Sequence, residues 1–294
     1  MVSSKKILVQ VSVTEKDFHL NADRLIKSLE SLSSAVHGEL MVYVVYQTNG
    51  EVFPDERFAS LPFVTVYVTN KFNVSSARNA AIVFARCEGY DYLVFHDSSM
   101  YFTASFHGLI NLALAAGGSI YKGQLSWTSD LVESEAVDSI VCVDKKIFPL
   151  MDPCVCLYVF RVDYLSDVIF NEDVGPGFDT YIKAGEDVVF LNNLFSARKT
   201  NVVSFAKQAL VLHPPRPTNN SKRIQYAEAQ GTLLRWFFES ERFSVSVLIY
   251  FFLFFGNTLF GIILGRKNFT KIFRLRLKGF RDKQNLRRIL TIKN

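Results

Sequence analysis

Apolar residues fill Ile7 to Val13 almost without interruption, as expected of a strand buried on both faces. Further on, Leu25, Ile26, Leu29 and Leu32 recur at helical spacing, and Asn21-Ala22-Asp23-Arg24 gives that helix a polar opening. Leu40 to Tyr46 and Phe63 to Val68 read as strands, with a turn at Thr48-Asn49-Gly50 after the first. Ser75 or Ser76 is placed to cap a helix reaching about Cys87, and Tyr92 to Phe95 is another buried strand. This alternation implies an α/β domain with a largely parallel central sheet. Such sheets bind ligands beyond the carboxyl ends of their strands, here near Val13, Gln47 and His96-Asp97.

The second half is less regular. Strands are expected at Ser139 to Val143 and Val155 to Arg161, a Gly-rich loop at Val174-Gly175-Pro176-Gly177, and a helix from about Glu186 to Ala197. The run His213-Pro214-Pro215-Arg216-Pro217 closes a first domain of residues 1–218. Residues 219–242 form a connecting amphipathic helix, Ser221 to Glu241, with Ile224, Ala227, Leu234 and Phe238 near one face. The segment 243–265 carries no charge for 23 residues, long enough to cross a bilayer core. A crossing would put the basic tail on the side away from the first domain, against the positive-inside tendency, and Gly256-Asn257-Thr258 interrupts the apolar run. An in-plane or re-entrant insertion is therefore the expectation.

Charge sharpens this picture. The chain is +5 overall, yet residues 266–294 hold eleven Lys or Arg against one acid, leaving the rest at −5. Phe269, Ile272, Phe273, Leu277 and Phe280 fall near one helical face of that tail, with Lys271, Arg274, Lys278 and Arg281 around them. A basic amphipathic helix suits an anionic membrane surface, and nothing points to a nucleic acid partner. The N-terminal apolar run is too short for a signal peptide and gives way to Thr14-Glu15-Lys16-Asp17, so the expected location is the cytoplasmic face of the inner or plasma membrane. Cys87, Cys142, Cys154 and Cys156 contain no Cys-x-x-Cys pair and read as small core residues, the last two sharing a strand face.

Three segments carry the chemistry: Ser75-Ser76-Ala77-Arg78-Asn79-Ala80-Ala81, then Tyr92-Leu93-Val94-Phe95-His96-Asp97-Ser98-Ser99, then Gly185-Glu186-Asp187 with Phe190. In order and spacing they resemble family 2 glycosyltransferases over about residues 6 to 216. The resemblance implies an α/β chain of the GT-A fold, a Rossmann-like mixed sheet of nucleotide-diphospho-sugar transferases, followed by a helical membrane-associating region. It further implies inverting transfer from a nucleoside diphosphate sugar, a UDP-sugar, to a hydroxyl of a membrane-lipid-linked glycan in polysaccharide biosynthesis.

Such a transfer requires the leaving diphosphate to be neutralised and the acceptor hydroxyl to lose a proton. The resemblance makes Asp187 the general base and Glu186 the holder of an acceptor hydroxyl, or the reverse, and sets Arg78 against the pyrimidine. Asp97 then serves the nucleotide sugar and a divalent cation, Mn²⁺ or Mg²⁺, with His213 as a further metal ligand. Ser99 stands where the family has a second aspartate; Mg²⁺ keeps several waters and needs only one or two carboxylates, so a hydroxyl or water at Ser99 suffices. The family's Pro-x-Tyr-Asn is replaced by Val11-Ser12-Val13-Thr14-Glu15, leaving Ser12 beside the nucleotide sugar, and its Asp-Asp by Tyr46-Gln47-Thr48-Asn49. The Gln47 amide offers a donor and an acceptor to a uracil edge. His96 should point to the opposite sheet face and pack there. The single carboxylate also fits a degenerate domain acting as a membrane-bound interaction module.

Overall fold

A computed structural model describes residues 4–50, 55–131, 137, 140–144, 154–165, 167–198, 202–215, 221–240 and 245–290. Ser139, the Arg216-Pro217 pair, Glu241, Phe243 and the junctions expected at 218–219 and 242–243 lie outside the described residues. The chain forms two compact units, Met1–Ile169 with Leu191–Arg216, and Phe170–Phe190 with Pro217–Asn294.

The first unit is built on one sheet. Its strands are β1 (Lys6–Thr14), β2 (Glu39–Gln47), β3 (Val64–Thr69), β4 (Tyr92–Asp97), β5 (Tyr101–Phe102), β6 (Ile120–Trp127), β7 (Val141–Asp144), β8 (Tyr158–Arg161) and β9 (Val202–His213). They lie in the order β3-β2-β1-β4-β8-β6-β9-β5, with β7 paired to β9. Only the half from β3 to β4 is wholly parallel. β8 runs antiparallel to β4 and β6, and β9 runs parallel to β6, so the sheet is mixed rather than largely parallel.

Helix α1 (Glu15–Ala35) begins immediately after β1, because the Thr14 side chain accepts from the Asp17 N–H and caps it there. That is earlier than the apolar spacing implies: among its first residues only Phe18 is buried, so the opening turn shows no periodic stripe. Helix α3 (Val74–Cys87) is capped by Asn73, whose side chain accepts from Ser76 N–H, and not by Ser75 or Ser76. Short α2 (Glu56–Ala59), α4 (Ala104–Ala116) and α5 (Val162–Leu165) complete the unit, apart from what it holds of α6 (Glu186–Ala197). Val155–Leu157 is a 3₁₀ turn, so Cys154 and Cys156 do not share a strand face. Cys87 and Cys142 are exposed, which corrects the reading of all four cysteines as core; none is in a disulfide.

Strand alternation sorts the sheet into two faces. Val13, Tyr46 and His96 face α1, where Phe18 packs against Tyr46 with ring centroids 6.2 Å apart. Gln10, Tyr43 and Phe95 face α3, where Phe84 stacks on Tyr43 at 4.8 Å. Ile7, Leu8, Val9 and Val11 are fully buried, each contributing about 1.5–3 kcal/mol, so β1 anchors the whole arrangement.

The second unit contains α7 (Ser221–Ser240), α8 (Val245–Ile263), α9 (Phe269–Arg281) and α10 (Lys283–Leu290), with the segment that leads into α6. Its core includes Val174, Ile182, Val189, Leu233, Trp236 and Leu286. Helices α7 and α9 cross backbone to backbone: a Cβ on Gly231 would overlap the Arg276 carbonyl, and one on Gly279 the Glu228 carbonyl. Arg276 ties three helices, donating to Gln230 Oε1 at 3.0 Å, to the Phe254 carbonyl at 2.8 Å and to Thr258 Oγ1.

The tail is therefore not one free amphipathic helix. Asp282 ends α9 and accepts from Gln284 and Asn285 N–H to start α10. The apolar face assigned to lipid is turned inward, with Phe269 and Ile272 buried and Phe273 against Phe255 at 5.7 Å. The exposed apolar stripe belongs to α8 instead: Ile249, Phe252, Leu253, Phe260 and Ile263 recur at helical spacing. Among the described residues no helix is long and apolar enough to cross a membrane.

Candidate functional site

The carboxyl ends of β1, β2 and β4 lie side by side, and their register sets Ser12 opposite Asp97 and Thr14 opposite Gln47. Beneath them the fully buried Gln10 donates to Ser12 Oγ at 2.7 Å, fixing that hydroxyl from below. Gln47 is only 2% exposed, and its Nε2 finds no acceptor. An orphaned buried amide donor costs about 1–3 kcal/mol, which a ligand carbonyl at the strand end would relieve. Arg78 is buried on α3 with its guanidinium 5.8 Å above the Phe95 ring, on the same sheet face as Ser12.

Asp97 ends β4, and both the N–H and the hydroxyl of Ser99 donate to its Oδ1, at 3.0 and 2.8 Å. Ser99 Oγ is also 3.1 Å from His213 Nε2, across 114 positions of sequence. His213 Nδ1 lies 2.7 Å from the Pro214 carbonyl. A carbonyl only accepts, so Nδ1 donates to it; the Ser99 hydroxyl has one proton and either gives it to Asp97 and accepts from Nε2 or gives it to Nε2. The structure thus brings Asp97, Ser99 and His213 together. Among the described residues no three His, Cys, Asp or Glu side chains form a metal cluster, because a serine stands between the single carboxylate and the imidazole. One carboxylate, one imidazole nitrogen and one hydroxyl nevertheless fit a hard divalent cation that takes its remaining ligands from a diphosphate and water.

Two residues at this site were missed by sequence reasoning. Gln10 gave only an interruption in an apolar run. Trp127 ends β6 in register with His213, its ring centroid 4.8 Å from the imidazole, and only its place at a strand's carboxyl end would have signalled it.

His96 points to the α1 face as expected, but it does more than pack. Its Nδ1 donates to the Asp97 carbonyl at 2.8 Å, and Ser28 Oγ, which accepts from Phe102 N–H, lies 3.0 Å from Nε2. Ser28 therefore donates to Nε2, and the neutral ring holds the backbone of the candidate residue Asp97 in place. Burial drives its pKa down to about 4, and that of His107 likewise.

In the second unit, Gly185 precedes α6 with φ +97°, a left-handed conformation that favours glycine, and a Cβ there would overlap the Leu233 side chain. Its carbonyl accepts from Val189 N–H at 3.0 Å, which makes Gly185 the residue that starts the helix and Glu186 and Asp187 its first two positions. Both carboxylates thus sit at the positive end of the helix dipole. Glu186 is buried and Asp187 half-buried.

The sequence matches no protein-family model and no curated protein. Solved structures do share the fold. Residues 1–349 of Staphylococcus aureus TarS align with a TM-score of 0.52 at 15% identity, covering 78% of this chain and 64% of that one. The same TarS fragment in complex with UDP-GlcNAc aligns at 0.51 and 16% identity, over 78% and 65%. A mycobacterial protein aligns at 0.52 and 16% identity, over 79% and 74%. This chain thus spans less than two thirds of TarS. The likeness defines the class of fold, the mixed α/β GT-A sheet. Within that class the chain is similar to TarS, which has been solved with UDP and with UDP-GlcNAc.

The buried histidines set an acid sensitivity. Their folded pKa of about 4 lies below the ordinary 6.5, so the unfolded chain takes up protons first. Stability is full above pH 6.5 and is lost as pH falls towards 4, by on the order of 3 kcal/mol per histidine. Denaturant unfolding between pH 7 and 4.5 should show this slope, and His96→Gln should remove about half of it. An unchanged slope in the variant would assign the sensitivity to other groups.

Proposed function

We propose that this chain is an inverting glycosyltransferase that moves a sugar from a UDP-sugar to a hydroxyl of a membrane-lipid-linked glycan. The observation that carries this reading is the hydrogen-bonded set Asp97, Ser99 and His213 at the strand ends of a GT-A sheet, in one row with Ser12 and Gln47. The UDP and UDP-GlcNAc complexes of TarS support the donor class. Gln47 offers its unsatisfied amide to the uracil edge, and Arg78 lies against the base. Asp97 and His213, with Ser99, would hold Mg²⁺ or Mn²⁺, which neutralises the leaving diphosphate. Asp187 takes the proton from the attacking hydroxyl while Glu186 holds the acceptor, and direct attack by that hydroxyl inverts the anomeric centre.

Asp187→Asn keeps the size of the side chain but not its basicity. Transfer, measured as UDP release from a panel of UDP-sugars, should fall by about 10²- to 10⁴-fold with UDP affinity and melting temperature unchanged. Near-normal turnover would remove Asp187 from the role of base.

Ser99→Asp would set two carboxylates against each other. Without metal the variant should melt lower than the parent chain, and Mn²⁺ should restore the loss and bind about tenfold tighter. If chelator leaves both activity and UDP binding untouched in the parent chain, the cation is not part of the reaction.

We further propose that the chain is held at the cytoplasmic face of the membrane by the α8 stripe lying in the membrane plane, since the opposite side of α8 packs on α9. Each inserted apolar side chain is worth about 1.5–3 kcal/mol, against about 1 kcal/mol for each nearby cation such as Arg266, Lys267 or Lys271. Insertion therefore outweighs charge, and salt should release little protein from anionic vesicles while detergent releases it. Phe252→Asp with Ile263→Asp should abolish vesicle binding with the fold intact; retained binding would reject the stripe as the anchor.

A further inference from the structure

Of the chain's two tryptophans, Trp236 is 1% exposed in the core of the second unit, as a large apolar side chain should be. Trp127 is 43% exposed, and it stands at the candidate site. A register shift between β6 and β9 after Lys122 brings the last turn of pairing into line, Ser126 with Leu212 and Trp127 with His213. The Thr128 N–H then donates to the His213 carbonyl at 2.9 Å, so the indole is carried on a paired strand end and not on a loose loop.

The neighbours of the ring say what it would meet. Gln47 ends β2, two strands to one side of β4 and its Asp97, while Trp127 ends β6 and His213 ends β9, two and three strands to the other side. The indole lies 4.8 Å from the His213 imidazole, whose Nε2 is 3.1 Å from Ser99 Oγ. With a base at Gln47 and a diphosphate at Asp97, Ser99 and His213, the sugar falls on the side away from β2, beside the indole. The indole face is electron-rich and apolar, matching the C–H face of a pyranose, whose hydroxyls can turn to polar neighbours such as Ser99 and Thr128.

We propose that Trp127 is the stacking face for the pyranose ring of the nucleotide-sugar donor. This rests on the reading of the site as a UDP-sugar site and adds to it a residue that contacts the sugar and senses its shape.

The two tryptophans make the proposal measurable on the full chain in detergent, because the neutral quencher acrylamide reaches Trp127 and not the buried Trp236. Calorimetry first establishes saturation with UDP and with UDP-GlcNAc, UDP-glucose and UDP-galactose. UDP should leave the quenching of Trp127 unchanged, and at least one UDP-sugar should protect it. Trp127→Ala should weaken that UDP-sugar about five- to tenfold without changing the affinity for UDP, and Trp127→Phe should recover part of the loss. Protection by UDP equal to that by every UDP-sugar, or equal weakening of UDP and UDP-sugar in Trp127→Ala, would overturn the proposal while leaving the UDP-sugar site standing. Failure of UDP and all three UDP-sugars to bind the parent chain would overturn both.

Discussion

The hydrogen bond between Ser99 and His213 is the constraint on which the site depends, since it joins the end of β4 to the end of β9. These strands are not neighbours: β8 and β6 stand between them in the sheet. The chain closes that gap directly after β4: β5 follows Ser99 and pairs antiparallel with the far edge of β9, Tyr101 opposite Leu212, which carries Ser99 to His213. The buried His96 keeps the Asp97 end of the link in place from the opposite face.

Much of the first unit was legible because burial on both faces writes a continuous apolar run, as in β1, β2 and β4. The site residues after those strands followed from the same logic, helped by the family resemblance. What stayed hidden has physical causes. The opening of α1 is polar on most sides, so its apolar stripe starts late, and the Thr14 cap is masked by its place at the end of a strand. Val155 to Leu157 is as apolar as a strand but turns as a 3₁₀ segment, and a short buried run carries no period to tell the two apart. Trp127 and Gln10 gain meaning only through register, which joins residues far apart in sequence and leaves no local signal.

The second unit shows the limit of reading amphipathicity as a membrane signal. The α9 pattern of apolar and basic positions is as clear in the structure as in the sequence, yet its apolar face is satisfied by protein. Gly231 and Gly279 decide this, for they let α7 and α9 approach until backbone meets backbone, and Arg276 then fills the remaining hydrogen bonds. Intramolecular packing thus consumes the moment of α9 and leaves that of α8, whose glycine and asparagine at 256–257 looked like a break in the sequence and lie on the exposed stripe.

On the proposed reading, Ser99 in place of a second aspartate changes the charge of the site more than its shape. Asp97 brings one negative charge where two aspartates would bring two, and its Oδ1 already accepts twice from Ser99. On the proposed reading, such a pocket attracts a free divalent cation weakly, because ligand charge governs affinity for hard cations. The missing charge is restored when a diphosphate arrives with its own. Cation and nucleotide would then enter as a unit, and the hydroxyl of Ser99, freed to donate to a phosphate oxygen, serves the ligand in a way that a second carboxylate could not.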